Sequence, residues 1–167
     1  MVSGLAGSWL MVRNVKMNKL ILLALPLLLL AIPKGYSAVT NPAAKKYSAL
    51  INYSEKKHKL PKNVLARLLQ TESGFNPKAT NPSGAKGIAQ IIPKWHPSVD
   101  PFNPKEAIPY AAKYLRKMYD RFGSWDKALA AYNYGPTNLS RTMIKYNADW
   151  KNHLPTETKN YIRKILQ

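Results

Sequence analysis

The amino-acid sequence predicts an all-α fold: a single small domain of about six to seven helices after an N-terminal signal or anchor segment. Apolar residues recur at intervals of three and four positions along most of residues 38–167, as on the buried face of a helix. No run in this part alternates between apolar and polar residues as a half-buried strand would. The length favours one domain, and it is sufficient to bury one core.

The N-terminal segment resembles an export signal. Residues 20–32 contain no charged side chain, and lysines precede them. A basic start, a short apolar centre and small residues at Gly35 and Ser37 are typical of a secretory signal peptide cleaved after Ser37. We therefore expect residues 1–37 to be the leader and residues 38–167 to be a domain exported to the periplasm or cell envelope.

An alternative for the same segment stays open. An uncleaved anchor would attach the protein to the membrane through residues 20–32, although a spanning helix needs about 20 apolar residues and Pro26 interrupts this run. Met17 resembles a natural start, which would make residues 1–16 an upstream extension. Under either interpretation the rest of the chain is exported.

Charge and composition exclude several classes of function. The chain has 26 lysines and arginines against 8 acidic residues, a net charge of +18, and no cysteine. Disulfides, thiolate metal sites and cysteine nucleophiles are therefore excluded. The three histidines lack ligand spacing, so we expect no metal and no cofactor. The positive charge favours an anionic partner, and for an exported domain we expect cell-wall polymer or anionic lipid and no nucleic acid. A solvated basic face is the plainer interpretation.

The first two predicted helices are separated by a proline. Residues 43–59 place Tyr47 and Ile51 on one face at close to the helical period. Pro61 suits the first turn of a second helix, which continues over residues 64–72. The buried stripe of the second helix is expected to comprise Val64, Leu65, Leu68 and Leu69.

Loops and the longest helix follow. Glycine, asparagine and proline residues between 74 and 84 predict a loop, and residues 87–92 form a short apolar turn. Asn103 is a capping residue, with proline and glutamate at the first and third positions after it. The longest helix should therefore cover residues 104–122 and end at Gly123.

Three shorter helices complete the prediction. Ser124 is expected to cap a helix over residues 125–134, which a glycine and a proline terminate. A weaker helix is predicted over residues 139–146. The last helix opens at residues 154–157 and directs Tyr161 inward.

One acid, two amides and several phenols form the combination of residues most suited to chemistry. Glu72 ends the second helix, Gln90 lies in the apolar turn, and Tyr132 and Asn133 lie near the end of a later helix. If these segments converge, Glu72 lies in a cleft with apolar walls. Burial there would raise the pKa of its carboxyl, as a general acid near neutral pH requires.

Composition and spacing alone favour plainer interpretations of these residues. A single glutamate at a helix end is most often solvated, and aromatic residues at helical spacing usually belong to the core, to which we assign Tyr119 and Trp125. Trp95 and Tyr134 could instead stack on sugar rings. For His96, packing within its loop is the favoured role.

Four ordered motifs decide between these interpretations, because together they resemble the lytic transglycosylase family with the goose-lysozyme-like fold. The motifs are ESGFNPKA at 72–79, GAKGIAQIIP at 84–93, AYNYGP at 131–136 and LPTETKNY at 154–161. The occurrence of all four in order makes the resemblance specific, and it covers roughly residues 47–166. It implies a lysozyme-like helical domain.

The resemblance also implies roles for individual residues. Glu72 matches the catalytic acid/base of the family, and Gln90 matches a cleft glutamine that contacts the substrate. Tyr132 and Asn133 match the pair that lines the sugar subsites around the scissile bond. Tyr161 matches a tyrosine whose hydroxyl lies near the catalytic glutamate.

Two positions depart from the family pattern. Asn81 stands where the family often has a serine that helps to hold the N-acetyl group of the sugar, and we keep Asn81 as a substrate-binding residue because an amide also donates hydrogen bonds. Ala89 stands where a methionine is frequent. Both departures bear on subsite preference more than on the reaction. Ser73 follows the catalytic glutamate and is expected to be structural.

The resemblance implies a peptidoglycan lytic transglycosylase. Such a lyase cleaves the β-1,4 bond between N-acetylmuramic acid and N-acetylglucosamine and leaves a 1,6-anhydromuramoyl end. Most glycosidases use two carboxyl groups, and Asp100 is the only other acid that we expect in a cleft. One acid suffices where the muramoyl 6-hydroxyl attacks in place of water. The expected partner is the peptidoglycan glycan strand, and we expect a monomer.

Two alternatives of function stay open. A lysozyme-type muramidase would hydrolyse the same bond on the same fold. A non-catalytic cell-wall-binding module of a secretion or phage assembly would bind the wall without releasing fragments. A membrane-active peptide or nucleic-acid binder would need neither Glu72 nor the ordered motifs.

Overall fold

The computed structural model describes residues 41–167. The predicted leader, its cleavage after Ser37 and membrane attachment through residues 20–32 lie outside the described residues and stay predictions. Within the described part, no helix combines the length and the apolar character needed to cross a membrane. The same part contains helices and isolated bridges, which confirms the all-α prediction.

Six α-helices account for the described fold. Their bounds are α1 Pro42–Lys57, α2 Val64–Ser73, α3 Pro104–Phe122, α4 Trp125–Tyr134, α5 Pro136–Tyr146 and α6 Thr156–Leu166. A 3₁₀ turn, Asn147–Asp149, follows α5. All six predicted helices are present, and most of their ends lie within two residues of the predicted positions.

Helices α1 and α3 begin on asparagine caps. The side chain of Asn41 accepts a hydrogen bond from the amide of Ala43 at 2.9 Å, and that of Asn103 accepts one from Lys105 at 3.1 Å. A proline occupies the first position of each helix, where its missing N–H costs nothing. Gly123 ends α3 in the left-handed conformation at a φ of 79°.

Three details of the predicted helix starts are wrong. Pro61 lies before the first turn of α2 and not within it. Ser124 precedes α4, but its hydroxyl donates to the carboxylate of Asp126 and makes no capping bond to the backbone. Helix α5 begins at Pro136, three residues before the predicted start at Leu139. Proline is tolerated at the first helical position, so the glycine and proline that end α4 also open α5.

The N-terminus of α2 is capped from another helix. Glu55 of α1 accepts hydrogen bonds from the backbone amides of Asn63 at 3.1 Å and Leu65 at 2.9 Å. Asn63 itself is left-handed and makes no side-chain cap. Burial raises the pKa of Glu55, against the lowering effect of these amide donors. The cap of α2 therefore comes from α1, although an asparagine occupies the position from which a side chain often caps its own helix.

The core is centred on α4, which packs against α3, α5 and α6. Residues Ala128–Ala131 of α4 are completely buried, and three of these four side chains are methyl groups. Small side chains allow neighbouring helices to approach closely. Tyr119 and Trp125 pack against this core with ring centroids 4.2 Å apart, in agreement with their predicted assignment.

The connection between α2 and α3 folds over the core and carries part of the site. Isolated bridges pair Lys86 with Thr80 and with Ile91, and Ile88 is completely buried. Gly87 has a φ of 71°, and a Cβ at this position would lie 1.6 Å from the carbonyl oxygen of Pro101. Only glycine fits this close approach of two backbone segments.

Candidate active site

Glu72 lies in the last turn of α2, one residue before its C-terminal serine. Gly74 then ends the helix in the left-handed conformation. The hydroxyl of Tyr161, a buried residue of α6, donates a hydrogen bond to Oε1 of Glu72 at 2.5 Å. Packing of α2 against α6 therefore brings together two residues that are far apart in the sequence.

The surroundings of Glu72 favour its protonated form. Burial is the largest cause and raises the pKa of Glu72 to about 7, while the hydrogen bond from Tyr161 lowers it and the nearby charge of Glu157 raises it. Near neutral pH the carboxyl is therefore present in both protonated and ionised forms. A group with this pKa is suited to give up a proton in one step and to take one in another.

A cavity of about 480 Å³ opens beside Glu72. Its lining includes all six site residues that the sequence singled out, which are Glu72, Asn81, Gln90, Tyr132, Asn133 and Tyr161. The acid, the amides and the phenols therefore converge on one space, as the acid/base hypothesis requires. Glu157, Asn160 and Lys164 of α6 complete the charged and polar part of the wall.

Gln90 is held in a sparsely populated backbone conformation, with a φ of 47°. Its side-chain amide donates to the carbonyl oxygen of Gly87 at 2.9 Å. The hydroxyl of Tyr132 donates to the neighbouring carbonyl oxygen of Ala89 at 2.9 Å. The bond from Gln90 is internal to the loop, and the bond from Tyr132 fastens the loop to α4. The strained conformation of Gln90 is of the kind that is stored at functional sites.

Two further amides of the cavity are oriented by hydrogen bonds. Thr158 donates to the side-chain oxygen of Asn133 at 2.7 Å. The side-chain oxygen of Asn81 accepts bonds from Ser83 at 2.7 Å and from the amide of Ala85 at 3.0 Å. In both residues the oxygen is already bonded within the protein, so the NH₂ group is the end suited to bind a ligand.

Ser73, the residue after Glu72, makes a structural link. Its hydroxyl donates to the carbonyl oxygen of Ile88 at 2.7 Å. This bond ties the end of α2 to the turn that carries Gln90. The geometry agrees with the structural role expected for Ser73.

The second carboxyl group of the cavity belongs to Glu157 and not to Asp100. Asp100 accepts a hydrogen bond from the amide of Phe102 at 2.9 Å and lies outside the cavity lining. The expectation that Asp100 is the only other acid of the cleft is therefore wrong. The sequence did contain a signal for Glu157, because residues four apart on a helix share a face and Tyr161 follows it by four.

A second cavity of about 1,120 Å³ adjoins the first. The two share Gln90, Ile92, Tyr132 and Asn133 as lining residues. Trp95 and Tyr134, predicted as platforms for sugar rings, line this second cavity and not the first.

His96 packs at the wall of the second cavity. Its Nδ1 lies 2.7 Å from the hydroxyl of Tyr110, and its ring meets that of Tyr114 edge-on at 4.9 Å. His96 therefore has a packing role, but it packs against helix α3 and not within its own loop. Within residues 41–167, no group of three histidine, aspartate or glutamate side chains is arranged to hold a metal ion.

Known proteins are similar to this chain in sequence. The family model described as "Transglycosylase SLT domain" matches residues 49–154. The chain is 31% identical over 120 residues to a transglycosylase of Enterobacteria phage PRD1, with 70% of this chain and 40% of the relative covered. It is 32% identical over 151 residues to membrane-bound lytic murein transglycosylase D of Escherichia coli (strain K12), with 80% and 33% covered.

A solved structure supports the same relationship. The fold is similar to that of the 70 kDa soluble lytic transglycosylase SLT70 from Escherichia coli, with a TM-score of 0.61 and 26% sequence identity. The match covers 71% of this chain and 22% of that chain. The chain therefore spans well under half the length of each of these relatives.

Proposed function

The chain belongs to the transglycosylase SLT family, and from this premise we propose that it is a peptidoglycan lytic transglycosylase with Glu72 as its catalytic acid/base. The observation that carries the proposal is the half-buried Glu72 beside a cavity, with its carboxyl hydrogen-bonded to Tyr161 and its pKa raised to about 7. The substrate is the glycan strand of peptidoglycan, and the enzyme is a lyase.

The first step is a proton transfer from Glu72. Protonated Glu72 gives its proton to the glycosidic oxygen between N-acetylmuramic acid and N-acetylglucosamine, and the bond from that oxygen to the anomeric carbon breaks. Oxocarbenium-like charge develops on the muramoyl ring, and the substrate's own N-acetyl group stabilises it.

The second step returns the proton to Glu72. The ionised carboxylate takes the proton of the muramoyl 6-hydroxyl, whose oxygen bonds to the anomeric carbon and forms the 1,6-anhydro ring. Water is not consumed, and the enzyme recovers its starting protonation state. Holding the hydroxyl in place makes the attack intramolecular, an advantage equivalent to a very high local concentration of nucleophile.

The other predicted site residues take supporting roles in this proposal. Tyr161 orients Glu72 through its 2.5 Å hydrogen bond. Gln90 and Tyr132 lie where the two cavities join and bind the strand around the scissile bond. The NH₂ groups of Asn81 and Asn133 donate to sugar oxygens. Trp95 and Tyr134 offer aromatic faces to sugars farther along the strand.

Hydrolysis of the same bond is a second candidate, and Glu157 is the observation that favours it. A second carboxylate in the cavity is what a muramidase would use to activate water. The lyase reaction is preferred because the named relatives are lytic transglycosylases and because one acid/base accounts for both of its steps.

Residues 1–37 are proposed as the export signal or anchor, with residues 38–167 as the catalytic domain in the cell envelope. Relatives named as membrane-bound murein transglycosylases support this location. A non-catalytic wall-binding module is the rival from another class. That rival predicts that the cavity binds the cell wall without releasing soluble wall fragments.

Product analysis in isotopically labelled water tests the proposal. Purified protein is incubated with peptidoglycan in H₂¹⁸O, and the soluble fragments are weighed by mass spectrometry. Anhydro ends without label are expected. Reducing ends that carry ¹⁸O would establish the hydrolase, and binding without soluble fragments would establish the non-catalytic module. The same analysis of Glu72→Gln should yield no fragments. Asp149→Asn is its matched control, because it removes an exposed carboxylate outside both cavities.

A further inference from the structure

The second cavity continues the groove in which Glu72 lies. It is more than twice the volume of the first, about 1,120 Å³ against about 480 Å³. Gln90, Tyr132 and Asn133 line both spaces, so a strand bound beside Glu72 extends into the larger one. The larger space has room for more than the sugar backbone of the strand.

The two cavities differ in charge. Glu72, Glu157 and Lys164 line the first, which makes it acidic when Glu72 is ionised. The second is lined on one side by Lys113, Arg116, Lys117 and Asp120, all from α3. The groove therefore has one acidic and one basic end.

Two of these basic side chains have no acidic partner within the described part of the chain. Arg116 forms an ion pair with Asp120 at 2.5 Å, which neutralises the acid. Across residues 41–167, no carboxylate lies within ion-pair distance of Lys113 or Lys117. The two lysines are four residues apart and lie on the same face of α3, where both are exposed to solvent.

The positive field of these lysines reaches the imidazoles of the cavity. Burial lowers the pKa of His58, and the charges of Lys57 and Lys113 lower it further. Burial likewise lowers the pKa of His96, with an added effect from Lys117. Both histidines line the second cavity, so an anion that enters it meets positive potential.

We propose that Lys113 and Lys117, at the basic end of the second cavity, bind carboxylates of the peptide stems on the glycan strand, so that the protein prefers strands that keep their stems. The inference rests on the proposed function, since it takes the glycan strand as the ligand of the groove. Peptide stems hang from the muramic acid residues and carry free carboxylates. A strand stripped of its stems by an amidase keeps only the lactyl carboxylate of each muramic acid and loses the carboxylates that the stems carry away from the sugar rings.

Binding measured with and without stems tests the proposal. Glu72→Gln is used as the background so that ligands are not consumed, and the two ligands are a muramoyl-containing tetrasaccharide with intact stems and the same tetrasaccharide after amidase treatment. Titration calorimetry at low ionic strength gives the ratio of their dissociation constants. We expect the stem-bearing ligand to bind about fivefold more tightly, as two exposed charge pairs would provide.

Charge removal on α3 should abolish this preference. Adding Lys113→Gln and Lys117→Gln should bring the ratio of dissociation constants close to one. Adding Lys45→Gln and Lys105→Gln instead removes the same charge from exposed positions outside both cavities and should leave the preference intact. Raising the ionic strength should weaken the preference in the background protein.

Three outcomes would overturn the inference. The first is equal binding of the two ligands by the background protein. The second is an unchanged ratio of dissociation constants after substitution of Lys113 and Lys117. The third is an equal loss of preference after the control substitutions of Lys45 and Lys105. Because the readout is binding, a stem preference in the Glu72→Gln background, combined with a wild-type protein that produces no anhydro ends, would contradict the proposed function alone.

Discussion

A glutamate lies at each end of helix α2, and the two differ in what surrounds them. Glu55 contacts the N-terminus of α2 and accepts two backbone hydrogen bonds, while its side chain is almost inaccessible to solvent. Glu72 belongs to the last turn, accepts one bond from a tyrosine hydroxyl and lines a cavity. Burial raises the pKa of both carboxyls.

The difference separates the carboxylate of Glu55, which caps a helix, from that of Glu72, which is proposed to transfer protons. The backbone amides at a helix N-terminus are fixed donors that need an acceptor, and the helix dipole favours negative charge there. The C-terminal end of a helix disfavours negative charge, so Glu72 gains no such stabilisation when it ionises. Residue type and burial alone therefore do not identify the acid/base. The partner of the carboxyl and its access to a cavity are what support Glu72 as the proposed acid/base.

The largest expected effect is the loss of wall cleavage in Glu72→Gln. The amide keeps the shape and can still contact Tyr161, but it cannot deliver or accept the proton, so the rate should fall about 100- to 10,000-fold. Release of soluble fragments from purified peptidoglycan measures it, with Asp149→Asn as the control. Thermal unfolding should change little. Clearance of peptidoglycan at the wild-type rate would remove Glu72 from the mechanism.

The converse is expected of Glu55→Ala. It leaves two backbone amides at the start of α2 without their acceptor, which should cost about 1–3 kcal/mol in the free energy of unfolding. Urea denaturation measures the loss, and the activity of the folded fraction should stay near the wild-type value. Glu55→Gln keeps one acceptor oxygen and should lose less. Equal stability of wild type and Glu55→Ala would contradict the capping role.

These two glutamates also illustrate how much the sequence reveals. Helix bounds followed from local signals such as Asn103, Pro104 and Gly123, because caps and breakers act within a few residues of where they stand. The cap from Glu55 is a tertiary contact between two helices, and nothing local marks it. The start of α5 was misplaced because Pro136 both ends one helix and begins the next.

The site was predictable to a different degree. Ordered motifs, and not composition, singled out Glu72, and the structure places it in one cavity with its predicted companions. Their roles in catalysis and binding stay predictions. Glu157 was not singled out from the sequence, because an acid in the first turn of a helix is common and needs no further role. The charge of the second cavity depends on which face of α3 turns towards the groove, which spacing alone does not determine.

Tyr161→Phe should have the next largest effect. It removes the hydrogen bond to Glu72 without changing the packing of the ring, and turnover should fall about tenfold while substrate binding changes less. The hydroxyl lowers the pKa of Glu72, so its loss should move the alkaline limb of the pH–rate profile to higher pH. Steady-state kinetics across pH measures both effects. Unchanged turnover would remove Tyr161 from the site.

The smallest expected effect is a shift of that limb in the opposite direction in Glu157→Gln. The general acid must be protonated, so activity should decline as pH rises through the pKa of Glu72, which lies at about 7. The negative charge of Glu157 raises this pKa, and its removal should move the decline to lower pH by a fraction of a unit, less so at high ionic strength. A shift of the pH–rate profile in Glu157→Gln would identify Glu157 as a neighbouring charge. If Glu157 were instead a required catalytic base, its loss would abolish turnover at every pH.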